Sequence, residues 1–222
     1  MEHFNRWNSP EYLWIFDFDL TLYGFDEIEV LQSMDFPMNA FIQSHLKMSE
    51  IEANILRKKF WAKYGTTLAG LRSEFSVDPH NFFDFIHSHS NIVHPKPNKK
   101  LQEILSKIIC EKWIFTNGRR DWAEIGAEKL GVQAFFTKLI DLEDSNWIGK
   151  PHDIAYEIVK RAIITSGRSE DQKVVFLDDN YENLITAKKH GWHTVWMKPL
   201  DEKPGPFDAH IHSLLELDKV FL

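Results

Sequence analysis

Two aspartates close an apolar run near the start of the chain, where Tyr12-Leu13-Trp14-Ile15-Phe16 leads into Asp17-Phe18-Asp19-Leu20-Thr21. The run reads as a buried parallel strand. Carboxylates in such a place are costly unless they are paired or hold a cation. A strand that finishes on two of them therefore suggests a cation site and a nucleophile. Asp-x-Asp-x-Thr is nevertheless a short pattern that acidic chains produce by chance. Other strand ends have to carry matching chemistry before it means anything.

Three later segments do. Trp113-Ile114-Phe115 runs into Thr116-Asn117-Gly118, a hydroxyl and an amide that can hold phosphate oxygens, with a glycine that permits a sharp turn. Val174-Val175-Phe176-Leu177 runs into Asp178-Asp179-Asn180, a second acid pair at a carboxyl end. Between them, Gly149-Lys150-Pro151 sets a lysine before a proline suited to the first position of a helix, so that ammonium and helix N-terminus would both favour an anion.

The elements that would position these residues follow from periodicity. Strand and helix alternate from residue 99 onward: helix 99–107, strand 112–115, helix 122–130, strand 138–142, helix 153–162, strand 174–177, helix 181–190 ended by Gly191, and strand 194–197. This alternation predicts an α/β fold, a doubly wound parallel sheet with helices on both faces and ligands at the carboxyl ends of its strands. Between Asp26 and Val93 the pattern is helical instead. Ile28, Leu31 and Met34, then Met38, Phe41, Ile42 and Leu46, recur at spacings of three and four around Pro37. Ser49-Glu50-Ile51-Glu52 has the capping-box pattern and opens a helix that Gly65 ends; Thr66 and Asp78-Pro79 begin two more. Gly24 and His94-Pro95-Lys96-Pro97-Asn98 bound this block as hinge and linker. The reading is a core of residues 1–24 and 95–222, with 25–94 as a small all-helical domain inserted after the first strand. Residues 198–208 read as a surface loop.

Composition narrows the function classes. Twenty-six basic against 33 acidic residues leave a net charge of −7, which argues against a nucleic-acid polymer as partner. One cysteine, Cys110, excludes an intramolecular disulfide and fits a reducing cytoplasm. No apolar run reaches the roughly 18 residues needed to span a bilayer, and no signal-peptide pattern is evident, so a cytoplasmic protein with no membrane partner is expected. His87, His89 and His94 cluster in sequence, but a spacing of two on a helix points side chains apart. They are read as structural, and the eight tryptophans as packing residues.

Taken in order, Asp17-Phe18-Asp19-Leu20-Thr21, Thr116-Asn117, Lys150 and Asp178-Asp179 resemble the four motifs of the haloacid dehalogenase-like hydrolase superfamily. The likeness spans essentially the whole chain, and the helical block sits where that superfamily carries a cap domain. Within it, Tyr23 after the first motif, the segment 64–71, Lys150-Pro151-His152 and Phe176-Leu177-Asp178-Asp179 are similar to the pyrimidine 5'-nucleotidase-like group. Leu20 and Gly118 depart from it, since asparagine and alanine are common there.

The resemblance implies a Rossmann-like core and a Mg²⁺-dependent phosphatase acting on a small phosphorylated metabolite, most plausibly a nucleoside (pyrimidine) 5'-monophosphate. By that likeness Asp17 is the nucleophile that becomes an aspartyl-phosphate, and Asp19 is the acid-base residue. Mg²⁺ is held by Asp17, the Asp19 backbone carbonyl and Asp179, with Asp178 nearby or through water. Lys150 offsets charge on nucleophile and phosphoryl group, and Thr116 and Asn117 orient the phosphate oxygens. Substrate choice falls to the cap, where Tyr64, Thr67 and Leu68 are candidates, and to Arg119 and Arg120. A phosphoglucomutase-like phosphotransferase or a sugar-phosphate phosphatase would use the same residues. A regulatory or binding protein on the same fold is the reading from another class. A dehalogenase fits less well, because that chemistry has no use for Asp19 or a metal. Nothing in the sequence sets the oligomeric state.

Overall fold

A computed structural model of the chain describes residues 7–89, 91–198 and 202–217. The chain divides into two compact units, Met1–Glu27 with Pro95–Leu222, and Ile28–His94.

The regular elements of the second unit's described residues are all helices: α1 (Ile28–Gln32), α2 (Asp35–Leu46), α3 (Glu50–Tyr64), α4 (Thr67–Phe75) and α5 (Pro79–His87). Its boundaries are written in the sequence. Ser49 and Glu52 form the reciprocal capping box of α3, and Gly65 ends that helix with φ 80°. Thr66 Oγ1 caps α4 and Asp78 caps α5, whose first residue is Pro79. Pro37 lies in the first turn of α2, where its missing N–H has no intrahelical partner to lose. Arg57 ties α3 to α2 by a two-pronged ion pair with Asp35, at 2.7 and 2.8 Å. Gly70 lets α4 approach α3 closely, since a Cβ there would lie 2.3 Å from the Phe60 ring.

The first unit holds six strands: β1 (Tyr12–Phe16), β2 (Glu111–Phe115), β3 (Lys138–Ile140), β4 (Lys173–Asp178), β5 (His193–Met197) and β6 (Ala209–Ile211). They form one parallel sheet in the order β3-β2-β1-β4-β5-β6. With it go α6 (Lys99–Lys107), α7 (Arg120–Leu130), α8 (Asp153–Thr165) and α9 (Tyr181–Lys189). All five β1 residues are buried, as a central strand covered on both faces requires. Leu13, Ile15, Trp113, Phe115, Val174 and Phe176 pack with Tyr156 and Val159 of α8 and Leu184 of α9. Each such side chain removed from water contributes roughly 1.5–3 kcal/mol.

The order reverses between β1 and β4. From β1 the chain proceeds to β2 and β3 on one side, then returns to build β4, β5 and β6 on the other, so the two carboxyl ends flank a switch-point crevice. Register makes this specific: Phe16 pairs with Ile114 and with Leu177, which brings Asp17, Thr116 and Asp178 to one edge of the sheet.

The structure differs from expectation at several places. β6 follows directly on the stretch read as loop and pairs with β5, while residues 199–201 of that stretch lie outside the described residues. A three-residue edge strand has too little apolar pattern to show. β3 stops at Ile140, because Asp141 turns the chain by accepting from the N–H groups of Arg120, at 2.8 Å, and Asp144, at 3.1 Å. Gly24 has a φ open to any residue, and a Cβ there would lie 2.8 Å from Asp26 Oδ1. Among the described residues no helix is long and apolar enough to cross a membrane.

Candidate active site

Asp17 follows the last residue of β1 and is fixed by its own neighbour, whose N–H donates to Asp17 Oδ1 at 2.7 Å. The Lys150 ammonium reaches the same oxygen at 2.8 Å. It also donates to Asp178 Oδ2 and to the Phe115 carbonyl, both at 2.8 Å. A lysine has three ammonium hydrogens, and all three are accounted for. Lys150 therefore lies buried between the ends of β1, β2 and β4, and its charge serves Asp17 and Asp178 directly.

Asp178 is fully buried and satisfied in every direction. Besides Lys150 it accepts from the Asn180 N–H at 2.8 Å, and the Asn183 amide donates to its two oxygens at 3.0 Å each. Trp196 Nε1 donates to the Asp179 carbonyl at 2.9 Å and sets the backbone there. One oxygen from each of Asp17, Asp178 and Asp179 lies within 4.8 Å of the others, the group among the described residues that could hold a metal ion.

Three carboxylates against one ammonium make an electrostatic deficit. Burial, with the charges of Asp178 and Asp19, raises the Asp17 carboxyl to about 7 despite Lys150 pulling it down. Burial, with the charges of Asp178 and Asp17, pushes Asp179 well above the usual carboxylate range despite Lys150. Burial disfavours the Lys150 charge, but Asp17 and Asp178 outweigh it and hold the ammonium above its ordinary value. Such a site suits a divalent cation. The donors are all oxygen, as Mg²⁺ prefers, and one from each carboxylate lies within 4.8 Å of the others, so the residues present fit the ion.

Asp19 faces different company. Its Oδ1 accepts from the Tyr23 hydroxyl at 2.5 Å and from Trp122 Nε1 at 2.9 Å. Burial and the Asp19 charge raise the Tyr23 phenol, which keeps it a donor. Thr116 is buried, its Oγ1 accepting from the Gly118 N–H at 2.9 Å.

Two residues play other parts than expected. The Asn117 side chain also meets the Lys150 backbone: Nδ2 donates to the Lys150 carbonyl and Oδ1 accepts from the Lys150 N–H, both at 2.8 Å. It holds the loop that carries the lysine. Nor does the Lys150-Pro151 pair open a helix. α8 begins at Asp153 with His152 as its cap residue, and Asp153 pairs with His190 at 3.1 Å, so that N-terminus already has its anion. Arg119 is paired with Asp121 at 2.6 Å and Arg120 with Asp144 at 2.7 Å, both within the first unit. In the helical unit Tyr64 donates to Glu74 at 2.8 Å, and Thr67 and Leu68 are buried in α4.

Trp122, Asn183 and Gly149 went unread in the sequence as site residues. Asn183 had a signal, standing five residues after Asp178 on the first turn of the following helix. Gly149 and Trp122 had none, because what they do depends on segments distant in the chain.

Comparison with solved structures places the fold. A HAD phosphatase from Thermococcus onnurineus matches with a TM-score of 0.60 at 20% identity, over 94% of this chain and 97% of that one. The HAD hydrolase YfnB from Bacillus subtilis, solved bound to magnesium, matches at 0.59 and 14%, over 96% and 99%. The L-2-haloacid dehalogenase from Xanthobacter autotrophicus with chloropropionic acid covalently bound matches at 0.56 and 15%, over 93% and 96%. These neighbours share the architecture and differ in chemistry. A family model described as haloacid dehalogenase-like hydrolase matches residues 14–191, from β1 past the end of α9, and the chain belongs to that family.

Proposed function

We propose that this chain is a Mg²⁺-dependent phosphomonoester hydrolase working through an aspartyl-phosphate on Asp17. The observation that carries the reading is the convergence of Asp17, Asp178 and Asp179 on one place, with Lys150 too little charge to balance them. Expelling a halide from a haloacid needs a carboxylate nucleophile and no cation. Displacement at phosphorus brings further negative charge to the nucleophile and benefits from one.

Asp17 and Asp179 would hold the ion, with the Asp19 carbonyl, and Asp178 would act mainly by fixing Lys150. Bound there, Mg²⁺ neutralises charge on the phosphoryl group. Asp17, its carboxylate held at Oδ1 by Lys150 and the Phe18 N–H, attacks phosphorus. The phosphorus–oxygen bond to the leaving alcohol breaks as Asp19 delivers its proton to that oxygen. Asp19, now a carboxylate, takes a proton from the water that attacks the aspartyl-phosphate, releasing phosphate and regenerating Asp17. Thr116 donates its hydroxyl hydrogen to a phosphoryl oxygen.

The substrate is a small phosphorylated metabolite, and a nucleoside 5'-monophosphate is the reading that the segment 64–71 and the residues around the four motifs support by their likeness to the pyrimidine 5'-nucleotidase-like group. Cys110 is buried and its thiol raised by that burial, which suits the cytoplasm as compartment. The test is phosphate release from nucleoside monophosphates, sugar phosphates and lysophospholipids, with Mg²⁺ present and chelated, beside halide release from 2-haloacids. Mg²⁺-dependent phosphate release that Asp17→Asn abolishes supports the assignment. Halide release insensitive to chelation would replace it with a dehalogenase.

A further inference from the structure

Asp19 is gripped by two aromatic side chains from distant segments of the sequence. Tyr23 comes from the loop after β1, and Trp122 from the first turn of α7, 103 residues away. Both donate to the same oxygen, Oδ1. We propose that Tyr23 and Trp122 are positioning residues which lock the Asp19 carboxyl in the orientation from which it passes a proton to the leaving group.

An indole N–H donates and never accepts. Its bond and that of the tyrosine hydroxyl together hold Oδ1 in place. The two bonds also stop the carboxyl rotating about its last torsion, which would otherwise exchange the oxygens. A fixed proton donor matters because misplacing a catalytic group by about 1 Å can cost on the order of 100-fold in rate.

Neighbouring residues are shaped to seat the pair. The Phe18 ring stands edge-on to both partners, 5.5 Å from Tyr23 and 6.5 Å from Trp122. On α7 the position against that ring is Gly126, where a Cβ would lie 2.2 Å from Phe18 Cζ. Beside the indole is Gly118, where a Cβ would lie 3.3 Å from Trp122 Cδ1 and 3.3 Å from Thr116 Oγ1. The departure at Gly118, where alanine is common in the group this chain resembles, thus has a local cause: a methyl group there would press on the tryptophan that holds Asp19. Because Gly118 and Gly126 have φ values open to any residue, space and not backbone conformation explains them.

This inference rests on the phosphatase reading, in which Asp19 protonates the leaving oxygen. It is tested by kcat/KM, which covers the steps through leaving-group departure, measured with Mg²⁺ on two esters: an alkyl phosphomonoester that the wild type hydrolyses, and p-nitrophenyl phosphate, whose leaving phenolate needs little protonation. Tyr23→Phe removes one hydroxyl without changing shape, and Trp122→Phe removes the indole donor. Each is expected to lower kcat/KM on the alkyl ester by about 10- to 100-fold, part of the 10²–10⁴ a general acid supplies, and to change the aryl ester far less. Gly118→Ala should shift the ratio the same way. Equal losses on both esters, or none on either, would overturn the positioning role; Tyr23→Phe alone suffices if Trp122→Phe does not fold. Asp19→Asn separates the two levels. If it selectively slows the alkyl ester while Tyr23→Phe does not, the positioning role fails and the acid stands. If Asp19→Asn slows both esters equally, the acid assignment itself fails, and this inference with it.

Discussion

Asn117 holds Lys150 by its main chain, one amide meeting both the N–H and the C=O of the lysine at 2.8 Å. The contact joins the end of β2 to a loop 33 residues further on, and it exists because position 149 is glycine. A Cβ there would lie 2.2 Å from Asn117 Oδ1. Asn117→Ala should leave two backbone groups unpaired beside a buried cation, costing about 2 kcal/mol. Gly149→Ala should do similar harm by pushing the amide away. Chemical denaturation reads the loss of stability, and turnover should fall with it as Lys150 slackens against Asp17.

Lys150 itself is the single positive charge between Asp17 and Asp178, and its ammonium is almost wholly buried. Replacing it with methionine keeps the volume and removes the charge. Breaking a buried ion pair from one side costs about 3–5 kcal/mol, because the abandoned partner stays buried. Lys150→Met is therefore expected to destabilise the first unit by that amount in urea melts and to eliminate turnover. A stable, active Lys150→Met protein would show that the acids are balanced in another way.

The chemistry of this site was legible where it sits on strand ends. An apolar run that finishes on aspartate, threonine or paired aspartates announces itself, and three such ends are brought together by the register of β1 with β2 and β4. Contacts between distant segments were not legible. Trp122 lies on a helix where a tryptophan is indistinguishable from a core residue, and its bond to Asp19 depends on how α7 meets the loop after β1. Asn117 looked like a ligand for phosphate because its amide could be one; that the lysine backbone takes it follows from a loop approach that no local pattern encodes. Leu20 gains a meaning only from its backbone. Its φ of 56° is left-handed, a conformation asparagine tolerates better than leucine, which accounts physically for asparagine being common there.

A cation between Asp17 and Asp179 should raise the melting temperature as well as support turnover, since it relieves repulsion that folding imposes. At 100 times its dissociation constant a ligand specific to the folded state contributes about 2.7 kcal/mol. Thermal shift with Mg²⁺ titrated into metal-free protein is expected to rise and saturate, and a chelator to reverse it. Asp179→Asn should flatten that response. An unchanged melting temperature across the titration would count against a metal site here.

Away from the site, Glu111 at the start of β2 governs acid stability. Burial works against its charge, but Thr137, Trp113 and Arg168 donate to it and hold its carboxyl at about 2, against 4.5 for an ordinary glutamate. A carboxyl depressed by folding stabilises the native state above its unfolded value and loses that contribution as pH falls toward the folded one. Glu111→Gln should therefore cost on the order of 1 kcal/mol at pH 7, an amount suited to a part-exposed network. The gap between the two proteins should close between pH 4.5 and 2. Urea unfolding at a series of pH values measures it, and a constant gap would contradict the assignment.

Two exposed helix ends in the helical unit carry removable strain. Lys47 after α2 and Ser76 after α4 take left-handed conformations, with φ of 58° and 54°. That region costs an ordinary residue roughly 1–2 kcal/mol, whereas glycine enters it freely and gives back about 0.5–1 kcal/mol through its floppier unfolded chain. Lys47→Gly and Ser76→Gly should each stabilise the protein by about 0.5 kcal/mol, and together by about 1 kcal/mol, because the sites end different helices and have no element in common. Equilibrium denaturation of the single and double variants gives the numbers. Since both changes leave every residue assigned to catalysis in place, kcat should stay at the wild-type value; a destabilised double variant would mean that the Lys47 and Ser76 side chains make contributions larger than the strain they bear.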